Sequence, residues 1–184
     1  MPKTATILSI ILYSDATNCD KLGKSQLHPI YLSLGNIPTW RRNKQDVKQL
    51  LGYLPIIKTS SSLDKTIIRQ TFHKCLEIIL EPIRSLSDGI DLKFGDKYIW
   101  FFPKISTIIS DWPEAATFCL TYKSTNSACP CHFCLIDRNK LADLKISKSE
   151  LEFRNHENMQ NYLENGEESL VSIESVQNYF WRFK

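Results

Sequence analysis

The apolar and polar positions change period several times along the chain, and each change predicts an element. Thr6 to Tyr13 is a β-branched apolar run stopped by Ser14-Asp15, the pattern of a buried central strand. His28 to Leu34, closed by Gly35-Asn36, predicts a second strand, and Asp20 to Ser25 predicts the turn before it. Gln49 to Ile57 predicts a third strand, with a bulge at Gly52 and Pro55 near its end. Ser60-Ser61-Ser62 then offer N-cap hydroxyls. Ile68, Phe72, Cys75, Leu76, Ile79 and Ile83 follow at the helical period, which predicts a helix over 63–86 that Pro82 kinks or ends.

Leu92 to Phe94 and Tyr98 to Phe102, around Gly95-Asp96, predict a short hairpin. Ile105 to Ile109 predicts a separate buried strand, again stopped by Ser-Asp. Trp112-Pro113-Glu114 places a proline in the first turn of a helix reaching about Tyr122. After a polar loop, 137–145 predicts a helix and 152–168 is polar without a predicted element. Leu170, Ile173, Val176 and Phe180 predict a terminal helix. Strands, a long helix, more strands and another helix make the fold class α/β.

Two predicted strands end in Ser-Asp. In an α/β sheet the residues just past strand C-termini line the functional edge. Asp15 and Asp111, delivered to neighbouring strand ends, would make a hard-oxygen site suited to Mg²⁺ or Mn²⁺. Such sites support in-line attack on phosphate, as in ribonuclease H-like folds. Asp is also a common turn residue, and that reading stays open beside the first.

Composition adds little. The chain has 184 residues and a net charge of +3, and its basic residues concentrate at Arg41, Arg42 and Lys44. These three are candidates for contact with DNA phosphate. No apolar run approaches the roughly 18 residues of a spanning helix, so no membrane partner is expected. Residues 1–13 carry no secretory pattern.

Cysteine is more informative. Cys129, Cys131 and Cys134 cluster, whereas Cys19, Cys75 and Cys119 are scattered. Clustered cysteines in a chain without a signal read as a metal site before a disulfide. Cys131 and Cys134 form a C-x-x-C, half of a tetrahedral Zn²⁺ site, with Cys129 or His156 as further candidate ligands.

Several segments share their order and spacing with one family. They are Ser14-Asp15-x-Thr17-Asn18, Gly23-Lys24-Ser25, Pro29 to Ile37, Arg41-Arg42, Leu51-Gly52-Tyr53-Leu54-Pro55 and Phe72-His73-x-Cys75 to Pro82. Ser110-Asp111-Trp112-Pro113-Glu114 and Cys131-x-x-Cys134-Leu135-Ile136 follow, with a weaker echo at Asn178 to Trp181. Together they resemble the Plavaka transposases of fungi, within the CACTA (EnSpm-like) group of DDE transposases, over roughly residues 5–140.

The resemblance implies a ribonuclease H-like mixed sheet over 1–122, and a Cys-rich, zinc-knuckle-like insertion with a terminal helix over 123–184. It implies metal-dependent DNA cleavage and strand transfer, with Asp15 and Asp111 as catalytic carboxylates on Mg²⁺ or Mn²⁺ and a structural Zn²⁺ at Cys131 and Cys134. Its partners would be transposon ends and target DNA, with self-association possible, and its place the nucleus, failing which the cytoplasm. In relatives a third acidic residue follows the Phe-Trp near residue 181. Neither Glu114 nor Glu174 matches it, so the chain alone is expected to be inactive. The alternative is a non-catalytic DNA-binding or zinc-knuckle module derived from a transposon.

Overall fold

β1 (Thr6–Ser14) alternates as its sequence demands: Ile10, Leu12 and Ser14 are buried, while Ile7 and Tyr13 face outward. The computed structural model describes residues 5–20, 25–57 and 62–183. In chain order, β1 is followed by β2 (Thr17–Asn18), β3 (Gln26–Leu27), β4 (Pro29–Leu34), α1 (Thr39–Arg42) and β5 (Gln49–Tyr53). Then come α2 (Ser62–Ser85), β6 (Ile90–Phe94), β7 (Lys97–Ile109), α3 (Trp112–Cys119) and α4 (His156–Glu164). Residues 21–24 of the expected turn and its Gly23-Lys24, and the hydroxyls of Ser60 and Ser61, lie outside the described residues.

The chain forms two compact units, residues 1–56 with 75–110, and residues 57–74 with 111–184. α2 contributes its residues up to Lys74 to the second and those from Cys75 to the first.

The first unit holds a five-stranded sheet in the order β5-β4-β1-β7-β6. β1 pairs antiparallel with β4 and parallel with β7, so it is flanked on both sides. This mixed α/β sheet is consistent with a ribonuclease H-like fold. Leu76 and Leu80 of α2 are fully buried in this unit, and the Ile79 side chain lies over Gly52, where a Cβ would meet its methyl at 3.6 Å. Past β4 the side chain of Asn36 extends the ladder. Its Oδ1 accepts from the Ser9 amide at 2.8 Å and its Nδ2 donates to the Ile7 carbonyl at 2.9 Å. The Gly35 amide donates to the Ser9 carbonyl at 2.7 Å, and a Cβ on Gly35 would collide with the Ser9 hydroxyl.

The hairpin arm and the buried strand expected at 105–109 are one 13-residue strand, β7. Pro103 lies within it. β6 pairs with β7 only as far as Phe101, so Pro103 has β1 as its one strand neighbour, and a strand with an unpaired side tolerates proline. Ser106 is the extra residue of a bulge, because Ile10 pairs with Ile105 and Ile11 with Thr107. Its hydroxyl donates to the Ile10 carbonyl at 2.9 Å and accepts from the Ser9 hydroxyl at 2.8 Å.

The second unit is built around α3, and its terminal segment differs from the expected helix. Val171, Ile173 and Val176 are buried, but Leu170 is exposed and Ser172 has a φ of 56°. A left-handed residue breaks the helical period. Ile173 instead forms a β-bridge with Thr121, and a 3₁₀ turn covers Tyr179–Arg182. The real helix of this region, α4, lies in the stretch that read as polar. It starts at an Asn155–Asn158 capping box and buries Met159 against Val171 and Ile173. Over 137–145 a 3₁₀ turn, Arg138–Lys140, capped by Asp137, stands where a helix was expected.

His73 is 4% exposed and fully partnered: Nε2 lies 3.1 Å from the Thr117 carbonyl and Nδ1 accepts from the Tyr179 amide at 3.2 Å. Burial pulls its pKa from 6.5 to about 4. A depressed folded pKa means that its contribution is complete above pH 6.5 and is lost as pH falls from 6.5 towards 4. Thermal unfolding between those pH values should show stability falling by about 3 kcal/mol on this account. In His73→Leu the slope over that window should flatten, and an unchanged slope would show that another group carries it.

Candidate active site

Two carboxylates follow the ends of neighbouring strands. The parallel ladder of β1 and β7 closes at Tyr13 and Ile109. Asp15 and Asp111 each come two residues later in the chain. Asp15 is half-buried, and its Oδ2 accepts from the Tyr13 hydroxyl at 3.3 Å. Asp111 is exposed and is the N-cap of α3: its Oδ1 accepts the Glu114 amide at 2.8 Å. The cap engages one oxygen, so Oδ2 can still serve a metal. The turn role and a ligand role are therefore compatible in this residue.

α3 has eight residues and cannot satisfy its own final carbonyls. Three distant groups do so. Thr117 is met by His73, Phe118 by Asn178 Nδ2 at 2.8 Å, and Leu120, at φ 57°, by the Glu174 amide at 2.7 Å. Arg69 of α2 donates to the Thr117 hydroxyl at 3.2 Å and lies 3.9 Å from Glu174. Lys123 feels Arg69 on one side and Asp111, Glu114 and Glu174 on the other, and burial with Arg69 lowers its pKa. Sequence patterns did not single out Arg69, Lys123 or Arg154, because their partners lie far along the chain.

Cys131 and Cys134 share a side-chain hydrogen bond, and the Phe133 amide donates to Cys131 Sγ at 3.4 Å. Burial raises the Cys134 pKa. Cys129 Sγ turns instead to the carbonyls of Leu135 and Leu170, at 3.6 and 3.7 Å, and the exposed His156 lies 3.9 Å from Glu157. Among the described residues no group of three or more His, Cys, Asp or Glu side chains is arranged to hold a metal.

Arg154 knits this region together. It donates to the carbonyls of Cys131, Cys129 and Val171 at 2.9, 2.9 and 2.7 Å, and reaches Met159 Sδ at 3.2 Å. Its charge also acts on the thiols of Cys119, Cys129, Cys131 and Cys134.

Of the basic cluster, Arg41 is held by both oxygens of Asp46, at 2.8 and 2.6 Å, which keeps that carboxyl below its usual range. Arg42 donates to the Gly35 carbonyl at 3.3 Å and the Thr39 hydroxyl at 3.4 Å. Lys44 is exposed, and so is Trp40 at 74%.

Two substitutions test these local roles. Arg154→Lys cannot reproduce a planar fork across three carbonyls, and denaturant unfolding should show a loss of about 2–4 kcal/mol; wild-type stability would show that the carbonyl bonds contribute nothing net. Asp111→Ala should cost about 1 kcal/mol through the lost cap and Asp111→Asn markedly less. Equal losses would deny the cap its role.

No curated protein matches the chain. A family model described as Plavaka transposase matches residues 1–183, nearly the whole sequence. On that match, the chain belongs to the Plavaka transposase family.

Proposed function

We propose that this chain contributes to metal-dependent DNA cleavage and strand transfer, with Asp15 and Asp111 as ligands for Mg²⁺ or Mn²⁺. The observation that carries the proposal is the parallel ladder of β1 and β7, with a carboxylate two residues beyond its last pair on each strand. Family membership supplies the reaction class. The donor chemistry fits: both groups are oxygen ligands.

A bound divalent ion would activate water or a DNA 3′-hydroxyl and stabilise the leaving oxygen. The protein's part is positional. The Glu114 amide orients the Asp111 carboxylate, and the Tyr13 hydroxyl does the same for Asp15. Lys44, exposed beside α1, is the residue of the basic cluster best suited to meet a DNA phosphate, since Arg41 and Arg42 hold intramolecular partners. For zinc the donor set is two thiols, half of a tetrahedral site, and no step depends on it.

The test is Mn²⁺ titration followed by the paramagnetic signal of the free ion. Wild type should bind saturably, and Asp15→Asn or Asp111→Asn should each weaken binding by at least about tenfold. Asn keeps the helix cap, so lost binding cannot be ascribed to a lost α3. Equal binding by all three proteins would overturn the assignment. Salt-dependent DNA binding that survived beside such equality would mark a module that binds DNA without cutting it.

A further inference from the structure

The first of the two residues between Cys131 and Cys134 reaches back to the start of α3. His132 is 7% exposed. Its Nε2 lies 3.3 Å from the carbonyl of Trp112, the residue after Asp111. Its Nδ1 lies 2.6 Å from the hydroxyl of Thr121, which is 1% exposed. The carbonyl of Trp112 can only accept, so Nε2 carries the proton and the Thr121 hydroxyl donates to Nδ1. The Trp112 and His132 rings also stack, with centroids 4.0 Å apart and planes at 34°.

One imidazole thus ties the first residue of α3 to the second residue past its end. The backbone on either side of that imidazole is held by Arg154, through the Cys131 carbonyl, and by the Phe133 carbonyl, which accepts from the Arg154 amide at 2.9 Å. The stack and the carbonyl bond fix Trp112 on two sides. The adjoining peptide sets where the Asp111 carboxylate points while it caps Glu114.

From this geometry we infer that His132 is a positioning residue for Asp111, so that the Cys131–Cys134 loop serves the carboxylate through its central side chain. The inference rests on the proposed metal role of Asp111. It also gives the knuckle a task that needs no zinc.

The test uses the full chain with Thr121→Val, which keeps the side-chain shape and removes the donor to Nδ1, and with His132→Ala. Amide hydrogen exchange is read at Glu114, which reports the Asp111 cap, and at Met159 in α4, which bonds to the Asn155 carbonyl and reports the unit's general stability. Both variants should speed exchange at Glu114 by about tenfold and leave Met159 near wild type. Mn²⁺ affinity should fall by about tenfold in parallel. Equal acceleration at both amides, or none at Glu114, would overturn the inference, and Thr121→Val decides the matter if His132→Ala does not fold. If wild-type protein binds no Mn²⁺, the metal reading fails while the amide comparison still decides the brace. If it binds and both variants match its affinity, the brace fails and the metal reading stands.

Discussion

An eight-residue helix leaves about as many backbone groups unpaired as it pairs, and α3 lives under that constraint. The Asp111 side chain takes one of its first amides. Its last carbonyls are met by an imidazole, an amide side chain and a backbone N–H from residues 73, 178 and 174. A helix this short has little stability of its own in water. It exists because the second unit supplies those partners, and the candidate ligand sits at its first turn for the same reason.

Two neutral imidazoles do comparable work in that unit. Each lies between a carbonyl and a donor, the arrangement in which an uncharged histidine leaves neither ring nitrogen unsatisfied. Burial holds both pKa values down, which keeps the acceptor nitrogen available. In the first unit the corresponding economy is at the bulge. Ser106 and Asn36 use side chains to take up backbone groups that an irregular ladder would strand.

Much of the sheet was legible in the chain. Apolar runs with turn residues at their ends located β1, β4 and β5, and the 3.6 period located α2, which Pro82 does not end. What misled was punctuation. The hairpin arm and the run over 105–109 read as two strands, yet β7 carries both through Pro103, where pairing with β6 has already stopped. The terminal apolar residues had helical spacing, but burial against Thr121 and Met159 selected an irregular path instead. α4 was missed because a helix that buries mainly one methionine shows almost no apolar stripe.

The candidate site divides in the same way. Sequence alone determined that an aspartate follows each of two strand ends, that two cysteines stand at knuckle spacing, and which family the motifs resemble. All of these are local features, written in neighbouring residues. Only the tertiary structure decided that β1 and β7 run parallel, that Asp111 is also a helix cap, that Arg41 and Arg42 hold intramolecular partners, and that His132 turns towards Trp112 instead of joining the thiols. The pairing of β1 with β7 and the turn of His132 depend on groups 20 or more residues apart, and the cap and the arginine partners on which nearby donors and acceptors meet once the chain is folded. Such meetings are settled by packing, and no local pattern records them.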